Sequence, residues 1–505
     1  MKNWTAGYVA EVGYTYGYYN ELNPLRSVFP LLKSGFLPPD FHNACELGFG
    51  QGLSINLNAA TQTINWYGTD FNPSQAAFAQ GMSSFAGSDA KLYDQSFEQF
   101  SQRDDLPEFD FIGLHGIWSW ISDANRQILV DFIAKKLRVG GVLYISYNTQ
   151  PGWAPMVPMR ELLNAHARTQ SSPSLPITER IDSALEFAQS MINLNPIFTK
   201  ANPIIVEKIK SLQKQNKHYL AHEYFNLDWH PMSFGEMARW LEPAKVEFAC
   251  SAHILDHVEA INLTPEQQAF LRTLPSGSFK EMAKDFMTNQ QFRKDYWIKG
   301  PVRIKGTRQA NLLSEQRFIL VQMPDDIKFS VAGSLGEAEL NADIYKPLIA
   351  YLSDFKPKAL NEIAQAHPQI PLAQLLQAIT VLIGKGVISH YVEPSTQVKK
   401  RSKSLNNYLF ELAHSQDEVG FVSSAISGSV GLSRIQQLFV SAYLKGQKTP
   451  EEWANYAWSI FQQQGQKLVQ EGRVLETDDD NLNELLTQAQ SFKQQMPLLK
   501  ALGLV

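Results

Sequence analysis

The chain has 505 residues, of which 44% are hydrophobic and 19% charged; this ordinary globular mixture excludes a disordered or fibrous chain. At roughly 100–200 residues per domain there is room for about three domains with sizeable cores. A net charge of −5 argues against a general nucleic-acid binder, Cys45 and Cys250 are too few for a disulfide framework or a four-cysteine zinc site, and no run of about 18 apolar residues is long enough to span a membrane.

Residues 1–40 crowd Trp4, Tyr8, Tyr14, Tyr16, Tyr18 and Tyr19 together. The start lacks a signal-peptide apolar core and carries Glu11 early, so a cytoplasmic protein is expected. Residues 41–150 alternate short apolar runs with helical patterns, which predicts an α/β fold on a doubly wound, Rossmann-like parallel sheet. A strand over about 41–47 runs into Gly48, Gly50 and Gly52, and Leu53, Leu57 and Ala60 then recur at helical spacing. A second strand ends in Asp70, and Asn72-Pro73-Ser74 opens a helix. A third ends in Asp94, a fourth covers 109–114, and Gly140-Gly141 turns into a fifth that leads to Tyr147.

Four blocks are predicted. Residues 1–154 form the Rossmann-like domain. Residues 155–330 form a largely helical middle region covering the site, with strands near 246–250 and 318–322. Residues 331–395 form a winged-helix-like unit, and 405–505 a helical domain opened by the linker 395–404. The would-be recognition helix, 372–383, is too apolar to meet phosphates, so it reads as a packing or protein-contact element. The acidic run Asp478-Asp479-Asp480 reads as a helix start, and no nucleic acid is expected as a partner.

The turn after the first strand carries the chemistry. A dinucleotide fingerprint needs a third glycine at position 53, which is Leu53; the pattern here is Glu-x-Gly-x-Gly-x-Gly from Glu46. A helix N-terminus can meet a carboxylate, and Glu46 can complement positive charge, which suits S-adenosylmethionine (AdoMet). Asp70 sits where an acid accepts from two ribose hydroxyls. Asp94 can accept from the adenine amine, with Phe71 or Phe97 flanking the ring. Phe49, Ser96, His115 and Tyr18 complete the expected binding set.

This order of elements resembles the class I AdoMet-dependent methyltransferases over about 41–150, with Glu46, Gly48, Gly50, Asp70 and Asp94 at matching cofactor positions. A narrower likeness rests on Tyr16-Gly-Tyr-Tyr-Asn-Glu21, Leu114-His-Gly-Ile-Trp-Ser-Trp120, Tyr147-Asn148, Pro151-Gly152-Trp153, His222-Glu223-Tyr224 and Phe292-Arg293-Lys-Asp295. Together these are similar to bacterial methyltransferases carrying a methyltransferase regulatory domain, a group similar to the rickettsial protein-lysine methyltransferases, over about 1–320. The resemblance implies a protein substrate with a lysine acceptor, and it suggests a homodimer, although no self-complementary motif demonstrates one. A small-molecule acceptor, or a non-catalytic AdoMet-binding regulatory protein, are the alternatives.

Methyl transfer needs an aligned, water-excluding site whose aromatic faces suit a cation. Tyr16, Tyr18, Tyr19, Trp118, Trp120, Tyr147 and Trp153 are candidates for that wall, Tyr147 foremost. His222, Glu223 and Tyr224 are the candidates to orient a lysine amine and take its proton. His218/His222 and His253/His257 stand four apart, but no pattern supplies further ligands, so no metal is expected.

Overall fold

The computed structural model describes Tyr8, residues 16–172 and residues 174–505. Trp4, Glu11 and Tyr14 lie outside the described residues.

Helix α1 (Pro24–Lys33) precedes an alternation of β1 (Asn43–Leu47), α2 (Leu53–Thr61), β2 (Asn65–Asp70), α3 (Pro73–Ala86), β3 (Lys91–Asp94), α4 (Phe97–Ser101), β4 (Phe109–Leu114), α5 (Asp123–Lys136) and β5 (Leu137–Asn148). With β6 (Val246–Ser251) and β7 (Phe292–Lys299) they build one seven-stranded sheet in the order β3-β2-β1-β4-β5-β7-β6. Strands β1 to β5 run parallel, and β7 lies antiparallel between β5 and β6. The order reverses between β1 and β4, and ligands of such sheets bind beyond the carboxyl ends of the strands at that switch point.

Local chemistry explains the elements. All six residues of β4 are buried, as a central parallel strand covered on both faces requires. Its Asp110 accepts from the backbone N–H groups of His42 and Asn43 at 2.7 and 2.9 Å and pairs with Arg138, which ties the entry of β1 to its neighbours. Asn72 caps α3 by accepting from the Ser74 N–H at 3.1 Å, with Pro73 at the first helical position.

The sheet is not finished within 1–154, because the strand expected near 246–250, which is β6, and the unexpected β7 join it from the middle region. Strand β7 reads Phe-Arg-Lys-Asp-Tyr-Trp-Ile-Lys, and the charges of Arg293 and Asp295, buried in the fold, mask its strand pattern in the sequence. The first part of the middle region is helical: α6 (Val157–Thr169), α7 (Ile177–Asn193), α8 (Ile197–Ala201), α9 (Ile204–Gln213) and α10 (Lys217–Tyr224) enclose a core of their own around Leu163, Ile181, Leu185, Ile209 and Leu220.

In the next unit, helices Ala342–Leu352, Leu360–Ala366 and Leu372–Gly384 pack on a small sheet. Its central strand, β8 (Arg317–Leu320), lies between Lys358–Ala359 and Ile388–His390, so the unit reaches back to residue 317. Leu375, Ile379 and Leu382 of the would-be recognition helix are buried in its core.

The expected linker 395–404 is instead the first half of a helix, Thr396–Leu412, whose N-cap Ser395 accepts from the Val398 N–H at 3.2 Å. Val398, Ser402, Leu405 and Leu409 are buried on one face, and the basic residues of the run hide that stripe. Leu405 and Leu409 share a core with Leu53, Leu57 and Met82 of α2 and α3, and Arg401 donates to the Gly87 carbonyl at 3.1 Å and pairs with Asp89 at 3.0 Å. The C-terminal region is also not wholly helical, since Phe421–Ser424 and Gly428–Gly431 form a hairpin. The Asp478-Asp479-Asp480 run opens a helix capped by Thr477, as its charge favours. Among the described residues no helix is long and apolar enough to cross a membrane.

Candidate active site

A cavity of about 640 Å³ opens at the carboxyl ends of β1, β2 and β4, at the switch point. Gly48, Gly50 and Gly52 wrap one wall with φ of +74°, +57° and +73°. A Cβ at Gly48 would lie 2.5 Å from Ile117 Cδ1, and one at Gly52 would lie 2.4 Å from Ala79 Cβ, so both conformation and close packing demand glycine there.

Two acids stand at this turn. Asp70 is buried and pinned: its Oδ2 accepts from the Gly50 N–H and its Oδ1 from the Asn72 N–H, each at 2.9 Å. Burial lifts its pKa to about 6 against the lowering effect of those two bonds. Glu46 is also buried, and its Oε2 has no hydrogen-bond partner among the described residues. Burial pushes its carboxyl well above the usual range, with the charge of Asp70 adding to the effect. A buried carboxylate oxygen without a donor is costly, and a ligand bearing an ammonium group would satisfy it.

Rings close the opposite end. Tyr19 stacks on His115 at 3.7 Å, and His115 Nδ1 lies 2.7 Å from the Tyr144 hydroxyl. Burial pulls the His115 pKa down to about 3, so the ring is neutral. Tyr8 packs edge-on against Phe71 at 5.6 Å and tilted against His222 at 5.4 Å, which joins the cavity to α10. Trp120 lines the cavity and its indole N–H donates to the Glu223 carbonyl at 3.3 Å. Burial raises the Glu223 carboxyl to about 7.

Most of the expected binding set meets here: Glu46, Gly48, Phe49, Gly50, Asp70, Phe71, Ser96, Phe97 and His115 all line the cavity. Tyr18 does not. It points the other way, with its hydroxyl donating to Asn58 Oδ1 at 3.3 Å and its ring 5.8 Å from Phe421, while the next residue, Tyr19, faces in. Asp94 also lies outside the lining, exposed at the tip of β3, and the wall there is made by Gln95, Ser96, Phe97 and Glu98.

Tyr147 is absent from the cavity for a reason of register. Side chains of a strand alternate, and Leu143, Ile145 and Tyr147 share the buried face away from it, whereas Tyr144 faces His115. The Tyr147 hydroxyl donates to Asp295 at 2.9 Å. Tyr224 is buried against Trp153, with ring centroids 5.9 Å apart, and also lies outside the lining. His222 and Glu223 stand just behind Tyr8 and Trp120. Of the proposed aromatic wall only Tyr19 and Trp120 line the cavity; Tyr16 packs on Phe78, and the buried Trp118 directs its N–H to Met232 Sδ.

Residues not anticipated include Gln75, Ile117, Asn125 and Asp228. Ile117 follows the fourth strand by three residues, where lining residues are to be sought. Asp228 lies between α10 and the chain returning at Met232 and carries no local signal. His253 pairs with Asp256 at 2.9 Å, His257 Nε2 lies 2.7 Å from the Ser251 carbonyl oxygen, and no group of three metal-ligating side chains stands together among the described residues.

Residues 216–299 match a family described as a predicted methyltransferase regulatory domain. The protein sll1526 of Synechocystis is 38% identical over 514 residues, covering 99% of each chain. RP789 of Rickettsia prowazekii is 26% identical over 193 residues, covering 38% of this chain and 34% of that protein. Among solved structures, PKMT2 from Rickettsia typhi in complex with AdoHcy superposes with a TM-score of 0.67 at 17% identity, covering 96% of this chain and 99% of that one, a likeness of fold. With the sheet order, the glycine turn and these relatives together, the chain belongs to one family with sll1526, has the class I methyltransferase fold, and carries a segment matching the methyltransferase regulatory domain.

Proposed function

We propose that the cavity binds AdoMet and that the chain transfers its methyl group to lysine side chains of a protein substrate. The observation that carries the first half is the unpaired, buried Glu46 Oε2 beside a glycine turn and a second, pinned carboxylate. Glu46 would accept from the ammonium of the donor, the N–H groups of the turn would meet its carboxylate, and Asp70 would accept from the ribose hydroxyls. Phe71 and Phe97 supply apolar faces for the adenine. AdoMet supplies a methyl carbon activated by its neighbouring sulfonium.

The chain's own part is to position and to dry the site. Tyr8, Tyr19 and Trp120 exclude water and offer faces that suit a cation, each contact contributing about 0.5–2 kcal/mol. A lysine ammonium, with a reference pKa near 10.4, must lose a proton before its nitrogen can attack. Glu223, held at about 7 by burial, can receive that proton through Tyr8 or through water, and His222 holds the Tyr8 ring from behind. The lysine acceptor is supported by the likeness to the rickettsial protein-lysine methyltransferases.

The test is transfer of labelled methyl from AdoMet in a lysate containing the full chain. Label recovered as methyl-lysine after protein hydrolysis supports the reading; label confined to a low-molecular-mass fraction replaces it with a metabolite acceptor. Asp70→Ala should weaken AdoMet binding about 100-fold, the loss of two charge-assisted bonds, with the circular dichroism spectrum retained. Unchanged affinity by calorimetry would refute the donor geometry.

A further inference from the structure

A second cavity, of about 310 Å³, lies where the end of α1, strands β6 and β7 and the helix Ser278–Thr288 meet, and it shares no lining residue with the first. Small-ligand pockets begin near this size, at about 300 Å³.

Its lining carries two unmet electrostatic demands of opposite sign. Buried Arg293 holds three carboxylates: Asp285 at 2.6 Å, Asp295 at 2.9 Å and Glu281 at 3.1 Å. One guanidinium cannot neutralise three acids. The deficit shows at Asp285, a buried residue whose Oδ2 has no hydrogen-bond partner among the described residues and whose pKa burial lifts to about 7. Two lysines, meanwhile, line the same cavity with no ion pair to a carboxylate among the described residues, although the charge of Lys284 also acts on the Asp256 carboxylate. Lys33 donates to Thr380 Oγ1 at 3.0 Å, and burial pulls its pKa down to about 8. Lys284 donates to the Asp256 carbonyl at 3.2 Å.

We propose that this cavity binds an acidic α-amino acid of the glutamate class and that the ligand acts as an effector of the first cavity. The ligand's ammonium would meet Asp285 Oδ2, and its two carboxylates would meet Lys33 and Lys284. A plain dicarboxylate would face the surplus acids around Arg293 with nothing to offer them, and a diamine would leave both lysines unmatched.

The two cavities are connected. Lys294, in the lining of the second, pairs with Glu21 at 2.7 Å, and the Tyr296 hydroxyl donates to the Glu21 carbonyl at 3.0 Å. The charge of Glu21 acts on His115, which stacks on Tyr19 in the wall of the first cavity. Filling the second cavity therefore bears on residues that close the first.

Isothermal titration of the full chain tests this without AdoMet, so failure of the methyl-donor reading leaves the result interpretable. L-glutamate should bind saturably, and glutarate, which lacks the ammonium, about tenfold more weakly. Lys33→Gln and Lys284→Gln should each weaken L-glutamate about tenfold; the half-buried Lys284 provides the reading even if the variant at Lys33 fails to fold. Saturating L-glutamate should shift AdoMet affinity at least about fivefold. No binding at about 10 mM L-glutamate, glutarate binding as tightly, or indifference to the lysine variants would overturn the site. Binding with unchanged AdoMet affinity would overturn the effector role.

Discussion

Two cavities of this fold are made in contrasting ways. The first, at the parallel end of the sheet, is built from backbone: a glycine turn, the ends of three strands, and rings laid over them, with two buried acids as its main polar features. The second, at the antiparallel end, is built from side chains: Arg293, its three carboxylates and the lysines around them. A parallel α/β switch point offers a crevice by topology alone, whatever its side chains. The antiparallel edge offers none, and there the cavity exists because charged residues take space that apolar residues would close. A backbone-built site should fail when the turn moves, even with every polar side chain kept. A charge-built site should fail when one charge is removed, even with the backbone kept.

The largest effect should be at the charge-built end. Arg293→Met leaves the buried Asp285 and Asp295, and the half-buried Glu281, without their cation and should cost about 3–5 kcal/mol in urea denaturation near neutral pH. The deficit should shrink as pH falls, because the folded variant takes up protons on Asp285 and Asp295 more readily than the unfolded chain does. A loss independent of pH would mean that packing, not charge, holds this end.

The next concerns the proton. Burial raises Glu223 from 4.5 in the reference state to about 7 in the folded chain, so its carboxylate forms only as pH rises through that value. Methyl transfer should climb with pH across that range, and Glu223→Gln should lower it about 100-fold with the rise abolished. A rise that survives in the variant would assign the base elsewhere.

Gly48→Ala should disturb the backbone-built end. A left-handed φ costs a residue with a side chain about 1–2 kcal/mol, and the added methyl meets Ile117. Thermal melting should show that loss together with weakened AdoMet binding; unchanged binding would make the turn a packing feature only. Smallest of all, Tyr147→Phe removes one hydrogen bond to Asp295 and should cost about 1 kcal/mol with methyl transfer unaltered. A fall in turnover without a fall in stability would restore Tyr147 to the chemistry.

The same contrast explains what the sequence revealed. Glu46, the three glycines and Asp70 are legible because each lies within one strand–turn–helix unit, where spacing and chemistry are local. The errors arise where facing decides: Tyr18 against Tyr19, and Tyr147 against Tyr144, differ only in which side of the backbone they leave. Strand β7 was hidden by Arg293 and Asp295, whose burial depends on partners distant in sequence. The helix at 396–412 was hidden because Val398 and Ser402, at the start of its buried face, are outnumbered by lysine and arginine. The second cavity draws on α1, β6, β7 and the helix before β7, with Lys33 and Arg293 alone 260 residues apart by number, and no local pattern marks it.

The central claim is that the crevice at the ends of β1, β2 and β4 holds an activated methyl donor. Isothermal titration of the full chain with S-adenosylhomocysteine and, separately, with NAD measures it most directly. The account predicts saturable one-site binding of S-adenosylhomocysteine that Glu46→Gln weakens, and no heat with NAD. Binding of NAD in place of S-adenosylhomocysteine would contradict it.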